Sequence, residues 1–192
     1  MIHIGLEDKN RKEVSRLLNV LLADEFVLST RTKNYHWNVT GPHFQELHSL
    51  FGDQSRKLDE LVDRIAERIR ALGGTPVGSL IGFLKNTRFS EHPRAHLSAS
   101  AMVEGLLDDH ELLIRDLRED LGANPALRLD AGTTDFLTSI LLEHEASAWI
   151  LRSFRGEEVK LRNWLHDQSQ IPHRRELPSE VALSAAAGGE ST

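Results

Sequence analysis

The break at Gly41-Pro42 constrains this chain more than any other feature, because it falls between two histidines, His36 and His48, in an otherwise helical pattern. Proline inside a helix removes a backbone hydrogen bond and clashes with the preceding turn, so one helix ends before the pair and another begins after it. His36 then belongs to the end of the first helix and His48 to the start of the second, and a sharp turn would fold them together. Further along the second helix, Asp63 and Glu67 stand four apart, which puts both carboxylates on one face, one turn from each other. That is half of a metal site.

The two halves cannot meet within one chain. His48 and Glu67 are nineteen residues apart, so on a continuous helix they lie roughly 28 Å from each other at ~1.5 Å per residue. If two copies of the helix cross antiparallel about a twofold axis near Arg56 and Lys57, the histidine end of one meets the carboxylate end of the other. The site is then intersubunit, and each dimer has two.

Composition narrows the chemistry. The 192 residues, 40% hydrophobic and 27% charged, are those of a soluble globular protein of one domain. No run of eighteen apolar residues occurs, and the N-terminal MIHIGLEDKNRK lacks a signal-peptide hydrophobic region, so a cytoplasmic protein without membrane contact is expected. The absence of cysteine leaves nitrogen and oxygen ligands alone for any metal. Net charge is −6, which repels a phosphate backbone at long range and disfavours nucleic acid as a partner.

Apolar spacing predicts four long helices. The first carries Val14, Leu17, Leu18, Leu21, Leu22, Glu25, Phe26, Leu28 and Ser29 and ends near Asn38. The second runs from Pro42, which suits a first turn, to the stop at Gly73-Gly74. The run Leu80 to Leu84, in the connection between Pro76 and Pro93, predicts a small helix. A third helix capped by Ser98 or Ser100 reaches about Leu121. A fourth starts near Thr133 or Thr134 with Phe136, Leu137, Ile140, Leu141, Ala148, Trp149, Leu151 and Leu161 inside, and fades near His166. Residues 169–192, with Pro172, Pro178 and AAAGGEST, read as a flexible tail beyond a 1–168 domain. His173-Arg174-Arg175 is a small basic island, offset by Glu176 and Glu180.

His36-Trp37-Asn38, Gly41, Phe44, Leu47-His48, Asp63 and Ala66-Glu67-Arg68 together resemble the Dps family, the small ferritins also called DNA-binding proteins from starved cells. The likeness runs from about Arg11 to Asp167. It implies an all-α, ferritin-like four-helix bundle with a short extra helix in the link between the second and third helices, assembled into a hollow twelve-subunit shell. It also implies oxidation of Fe²⁺, usually by peroxide, at a ferroxidase site shared between twofold-related subunits, with Fe³⁺ mineralised inside and protection against oxidative stress as the result. By resemblance the ligands are His36 and His48 from one subunit and Asp63 and Glu67 from its neighbour, with Trp37 packed beside the iron. The same donors suit Zn²⁺ or Mn²⁺. Asp130 and Asp135 would line an inlet pore between threefold-related subunits; alternatively they simply favour a helix N-terminus through its dipole.

One position departs from the family pattern. An acidic ligand is usual one turn after the second histidine, and Gly52 stands there. Asp53 follows, ~100° around the helix. Either Asp53 turns in, or water fills the place, or the second metal position is weak. The rival readings are a DNA-compacting protein with little ferroxidase activity, against which the charge balance and the missing basic arm argue, and a shell whose site Gly52 impairs. For Asp63 and Glu67, the plain alternative is a solvated face paired with Arg64, Arg68 and Arg70.

Overall fold

The computed structural model describes residues 2–90 and 97–169, with side chains as far as 155. Pro93 at the end of the connection, the Leu161 side chain, the His173-Arg174-Arg175 island and the tail beyond 169 lie outside these. The chain divides into two units, Met1–Glu157 and Glu158–Thr192. In the second, residues 158–169 are helical.

The helices are α1 (Asp8–Asn38), α2 (Phe44–Ala71), α3 (Leu80–Asn86), α4 (Ala99–Ala123) and α5 (Ala131–Ser169), with a single 3-10 turn at Leu127–Leu129 before α5. No strand occurs among the described residues. Four long helices form the bundle and α3 lies in the link, as the apolar spacing predicts.

Each boundary has a local cause. α1 stops because Val39 is extended and Gly41 takes a φ of +109°, a left-handed value that favours glycine. α2 ends in a Schellman turn: Gly74 N–H donates to the Ile69 carbonyl and Gly73 N–H to that of Arg70, both at 2.9 Å, with Gly73 at φ +83°. The hydroxyls of Ser79 and Ser98 cap α3 and α4 by accepting from Gly82 N–H and Ala101 N–H. α5 begins slightly before the threonines, at Ala131, because Asp130 is its cap: the Asp130 carboxylate accepts from the Thr133 N–H at 3.0 Å.

Ion pairs between helices give the order around the bundle. α1 packs along α2, Arg64 joins α2 to Glu143 of α5, Arg118 joins α4 to Glu145 of α5, and Arg31 joins α1 to Asp109 of α4. Successive contacts run in opposite directions along each pair: Arg152 meets Glu111 and Arg155 meets Glu104. Neighbouring helices are therefore antiparallel and α2 and α4 parallel. The link from α2 to α4 must climb the length of the bundle, about 40 Å for a helix of 28 residues, and α3 breaks that climb. Its Phe83 stacks on Phe26 of α1 at 4.0 Å. The link then closes on buried Asp24, which accepts from the Thr87 hydroxyl, the Arg88 N–H and the Arg88 guanidinium; Asp116 and Asp120 of α4 hold the same guanidinium.

The core is leucine-rich: Leu18, Leu21, Leu22 and Leu28 face Phe51, Ile65, Ile69, Leu106, Leu107, Leu113 and Leu117, all essentially without solvent contact. Two apolar residues of α5 depart from the sequence-level expectation or from ordinary burial. Trp149, expected inside, is 67% exposed, and Leu142, two turns earlier on the same face, is 58% exposed. On α3, Leu80, Ile81 and Leu84 are likewise outward.

A polar string also crosses the core. His144 Nε2 lies 2.7 Å from a Glu25 carboxylate oxygen, and the Nδ1 atoms of His110 and His144 are 2.8 Å apart. Glu25, His110 and His144 are all 1% exposed or less. The spacing carried a signal for this, since Glu25 follows Leu18, Leu21 and Leu22 in the apolar phase of α1. His144 is thus the partner of a buried carboxylate.

Candidate metal centre

The Gly41-Pro42 turn lays the last turn of α1 against the first turns of α2, and this brings His36 and His48 ring to ring. The centroids are 3.9 Å apart and the planes 23° from parallel, with Phe44 stacked on the other side of His48 at 5.1 Å. The two residues are tied reciprocally. His36 Nδ1 sits 2.7 Å from the His48 carbonyl oxygen, and His48 Nδ1 sits 2.8 Å from the His36 carbonyl oxygen.

That reciprocity fixes the chemistry of both rings. A carbonyl oxygen only accepts, so each Nδ1 must carry the proton and donate it. In the neutral tautomer each Nε2 is then left with a bare lone pair. Carbonyl-anchored imidazoles of this kind are oriented and made more basic toward a metal by the outer bond.

Asp63 and Glu67 are both exposed on α2. The arginines that could have paired with them are engaged elsewhere: Arg64 with Glu143, Arg68 with Asp130 and Thr133, and Arg70 with the Gly74 carbonyl at 2.7 Å. Among the described residues, neither carboxylate has a hydrogen-bonding or ionic partner. The plain surface-pair alternative is therefore not the one the chain adopts. The structure brings the histidines together and leaves the carboxylates some 22–28 Å along the same helix at ~1.5 Å per residue. Among the described residues, no group of three or more His, Asp or Glu side chains forms a metal cage within one chain.

Gly52 lies directly beneath the histidines. A Cβ placed on it would stand 3.0 Å from both Cε1 and Nδ1 of His36, so the imidazole uses the space a side chain would take. Asp53 is exposed and ion-paired with Arg56. Trp37 is 68% exposed, which rules out core burial within its own chain, and His43 stands exposed at the cap position of α2 without a capping bond from its side chain.

The two pore candidates separate. Asp130 is 5% exposed; one oxygen accepts from the Thr133 N–H and Arg68, and the other accepts from the Thr133 hydroxyl at 2.6 Å. Its carboxylate is committed to the cap and the ion pair. Asp135, one turn on, is exposed.

Sequence reasoning missed the buried roles of Glu25 and His110 and the position of Gln54. The amide oxygen and nitrogen of Gln54 are buried without a partner, and Gln54 lines the same cleft between α2 and α5 as His144.

Comparison with known proteins agrees with this architecture. The profile of the ferritin-like domain matches residues 15–159. An uncharacterized low temperature-induced protein of Nostoc sp. is 49% identical over 160 residues, covering 83% of this chain and 89% of that protein. DNA protection during starvation protein 2 of Bacillus anthracis is 36% identical over 148 residues, covering 76% and 99%. The Dps protein of Vibrio cholerae, described as a member of a broad superfamily of ferritin-like diiron-carboxylate proteins, superposes with a TM-score of 0.72 at 30% identity, covering 80% of this chain and 96% of that one. A helical bundle with this extra linking helix, matched over three quarters of its length by a Dps sequence, places the chain in the Dps family of ferritin-like proteins.

Proposed function

We propose that this protein is an iron-oxidising and iron-storing mini-ferritin. Its substrate site combines His36 and His48 of one subunit with Asp63 and Glu67 of a second, inside a hollow homo-oligomeric shell, twelve subunits by family likeness. The observation that carries this reading is the reciprocally anchored histidine pair, whose two Nε2 lone pairs have a fixed tautomer, together with two carboxylates on the same helix left without partners. Two imidazoles and two carboxylates suit Fe²⁺ in charge and hardness. Zn²⁺ and Mn²⁺ fit the same donors and serve as competitors in a binding assay.

Ferrous iron is the substrate. Overall, one hydrogen peroxide takes one electron from each of two Fe²⁺ and, with two protons, gives two Fe³⁺ and two waters; dioxygen is the other available oxidant. The protein's part is to hold Fe²⁺ on oriented donors and to exclude bulk water, with Trp37 and Phe44 as the apolar wall once a second copy covers them. Fe³⁺ passing to the shell interior removes the reagents of hydroxyl-radical chemistry, which is the protective role. Asp135 is the pore residue with a free carboxylate, and Asp130 stands beside it as the cap. Among the described residues no helix is long and apolar enough to cross a membrane, and a cytoplasmic site of action follows from the family likeness.

Replacing His36 and His48 by Gly is expected to abolish fast Fe²⁺ oxidation while the shell still assembles; unchanged oxidation would refute the assignment. The name of the Bacillus relative speaks of DNA protection. With a net charge of −6 we assign such protection to iron removal rather than contact. A gel shift that appears at low salt and fades steeply as salt rises would establish direct binding instead.

A further inference from the structure

The donor face of α2 reads His48, Gly52, Arg56, Asp63, Glu67, and its middle holds a cation. Arg56 Nη1 lies 3.7 Å from the position a Cβ on Gly52 would occupy, the same position from which the His36 ring is 3.0 Å. His36 and the Arg56 guanidinium therefore border one space, the space an acidic side chain at residue 52 would fill. The nearest carboxylate in sequence, Asp53, is already paired with Arg56. Resting on the site assignment proposed above, we infer that this site is built to load a single Fe²⁺ per subunit, and that Arg56, together with Gly52, sets that number by placing a fixed positive charge where a second ion would have to bind.

Charge and geometry both support this. One Fe²⁺ between two neutral imidazoles and the carboxylates of Asp63 and Glu67 makes a neutral centre. A second Fe²⁺ would add two positive charges, and the adjacent carboxylate, Asp53, is already engaged in its pair with Arg56. Gly52 is a positioning residue for the first ion: without a Cβ it lets the His36 ring lie over the helix and reach the His48 carbonyl. Arg56 is a residue that limits ion number and touches no reacting atom.

The test is anaerobic titration of the full-length assembled protein with Fe²⁺, by calorimetry, and with Co²⁺, by its visible absorption, so that no oxidation contributes. The parent protein is expected to bind one ion per subunit tightly and Arg56→Glu to bind two. Arg56→Ser removes the charge and adds only a short, weak hydroxyl donor in place of a carboxylate, and is expected to keep one tight ion but hold it about tenfold more tightly, as for one unit charge near a divalent ion in a half-wet site. Gly52→Ala is expected to weaken the first ion, because the new methyl meets the His36 ring. Two tight ions in the parent, or an unchanged count in Arg56→Glu with unchanged affinity in Arg56→Ser, would overturn the inference. The double variant His36→Ala/His48→Ala separates the two levels: ion binding that survives it sinks the site assignment itself, whereas binding that depends on the histidines but ignores Arg56 sinks only the inference about number.

Discussion

A histidine buried among leucines behaves differently from one anchored at a surface turn, and this chain contains both. Burial first, and the neighbouring His144 second, hold the His110 imidazole well below its usual pKa. The unfolded chain takes up a proton at His110 near pH 6.5, and the folded chain does not until a much lower pH. Below about pH 6.5 the unfolded state therefore binds more protons, and stability falls as pH falls, by up to about 1.4 kcal/mol per pH unit for one such group. His110→Gln, which can still bond the His144 ring, is expected to flatten that slope by one proton when urea midpoints are compared between pH 7 and pH 5. A slope identical in the two proteins would show that His110 is protonated in the fold. His36 and His48 were legible in the sequence because a Gly-Pro break between two histidines has few foldings. The string from Glu25 to His144 and His110 was not, since its partners lie 119 and 34 residues apart and helical phase alone does not say which buried polar groups meet.

At the level of single helices, Asp130 and Asp135 show how one acidic pair divides its work. Asp130→Ala removes the α5 cap and leaves Arg68 and Thr133 without their shared acceptor, and is expected to cost about 2 kcal/mol in equilibrium unfolding. Asp135→Asn is expected to leave stability within about 0.5 kcal/mol and to slow iron loading of the shell. If instead Asp130→Ala is neutral in stability, the cap described here does not form in solution. Helix ends were readable because Gly41, Gly73 and Ser98 act locally. The outward turn of Trp149 was not readable, because apolar residues circle α5 and spacing cannot rank one apolar face over another until α2 and α4 are in place. The anchoring of the link by Asp24 was hidden for the same reason: its partner Arg88 is 64 residues away.

For the molecule as a whole, the outward apolar residues and the partnerless carboxylates are what a second copy would cover in the proposed assembly. Leu80, Ile81 and Leu84 are each more than half exposed, and burying three such side chains is worth roughly 1.5–3 kcal/mol apiece. Replacing all three by Ser is expected to lower the assembly size seen by native mass spectrometry, with helix content unchanged; an intact assembly would remove α3 from the interfaces. The claim on which the functional reading rests is that histidines and carboxylates of one site come from different chains. Two inactive proteins test it directly: one with His36→Gly/His48→Gly, the other with Asp63→Asn/Glu67→Gln, refolded together at equal amounts. If the donors are shared across a twofold axis, one site in each mixed dimer, about a quarter of all sites, regains all four wild-type donors, and fast Fe²⁺ oxidation returns to about a quarter of the parent rate. No recovery in a mixture shown to have co-assembled would contradict the account.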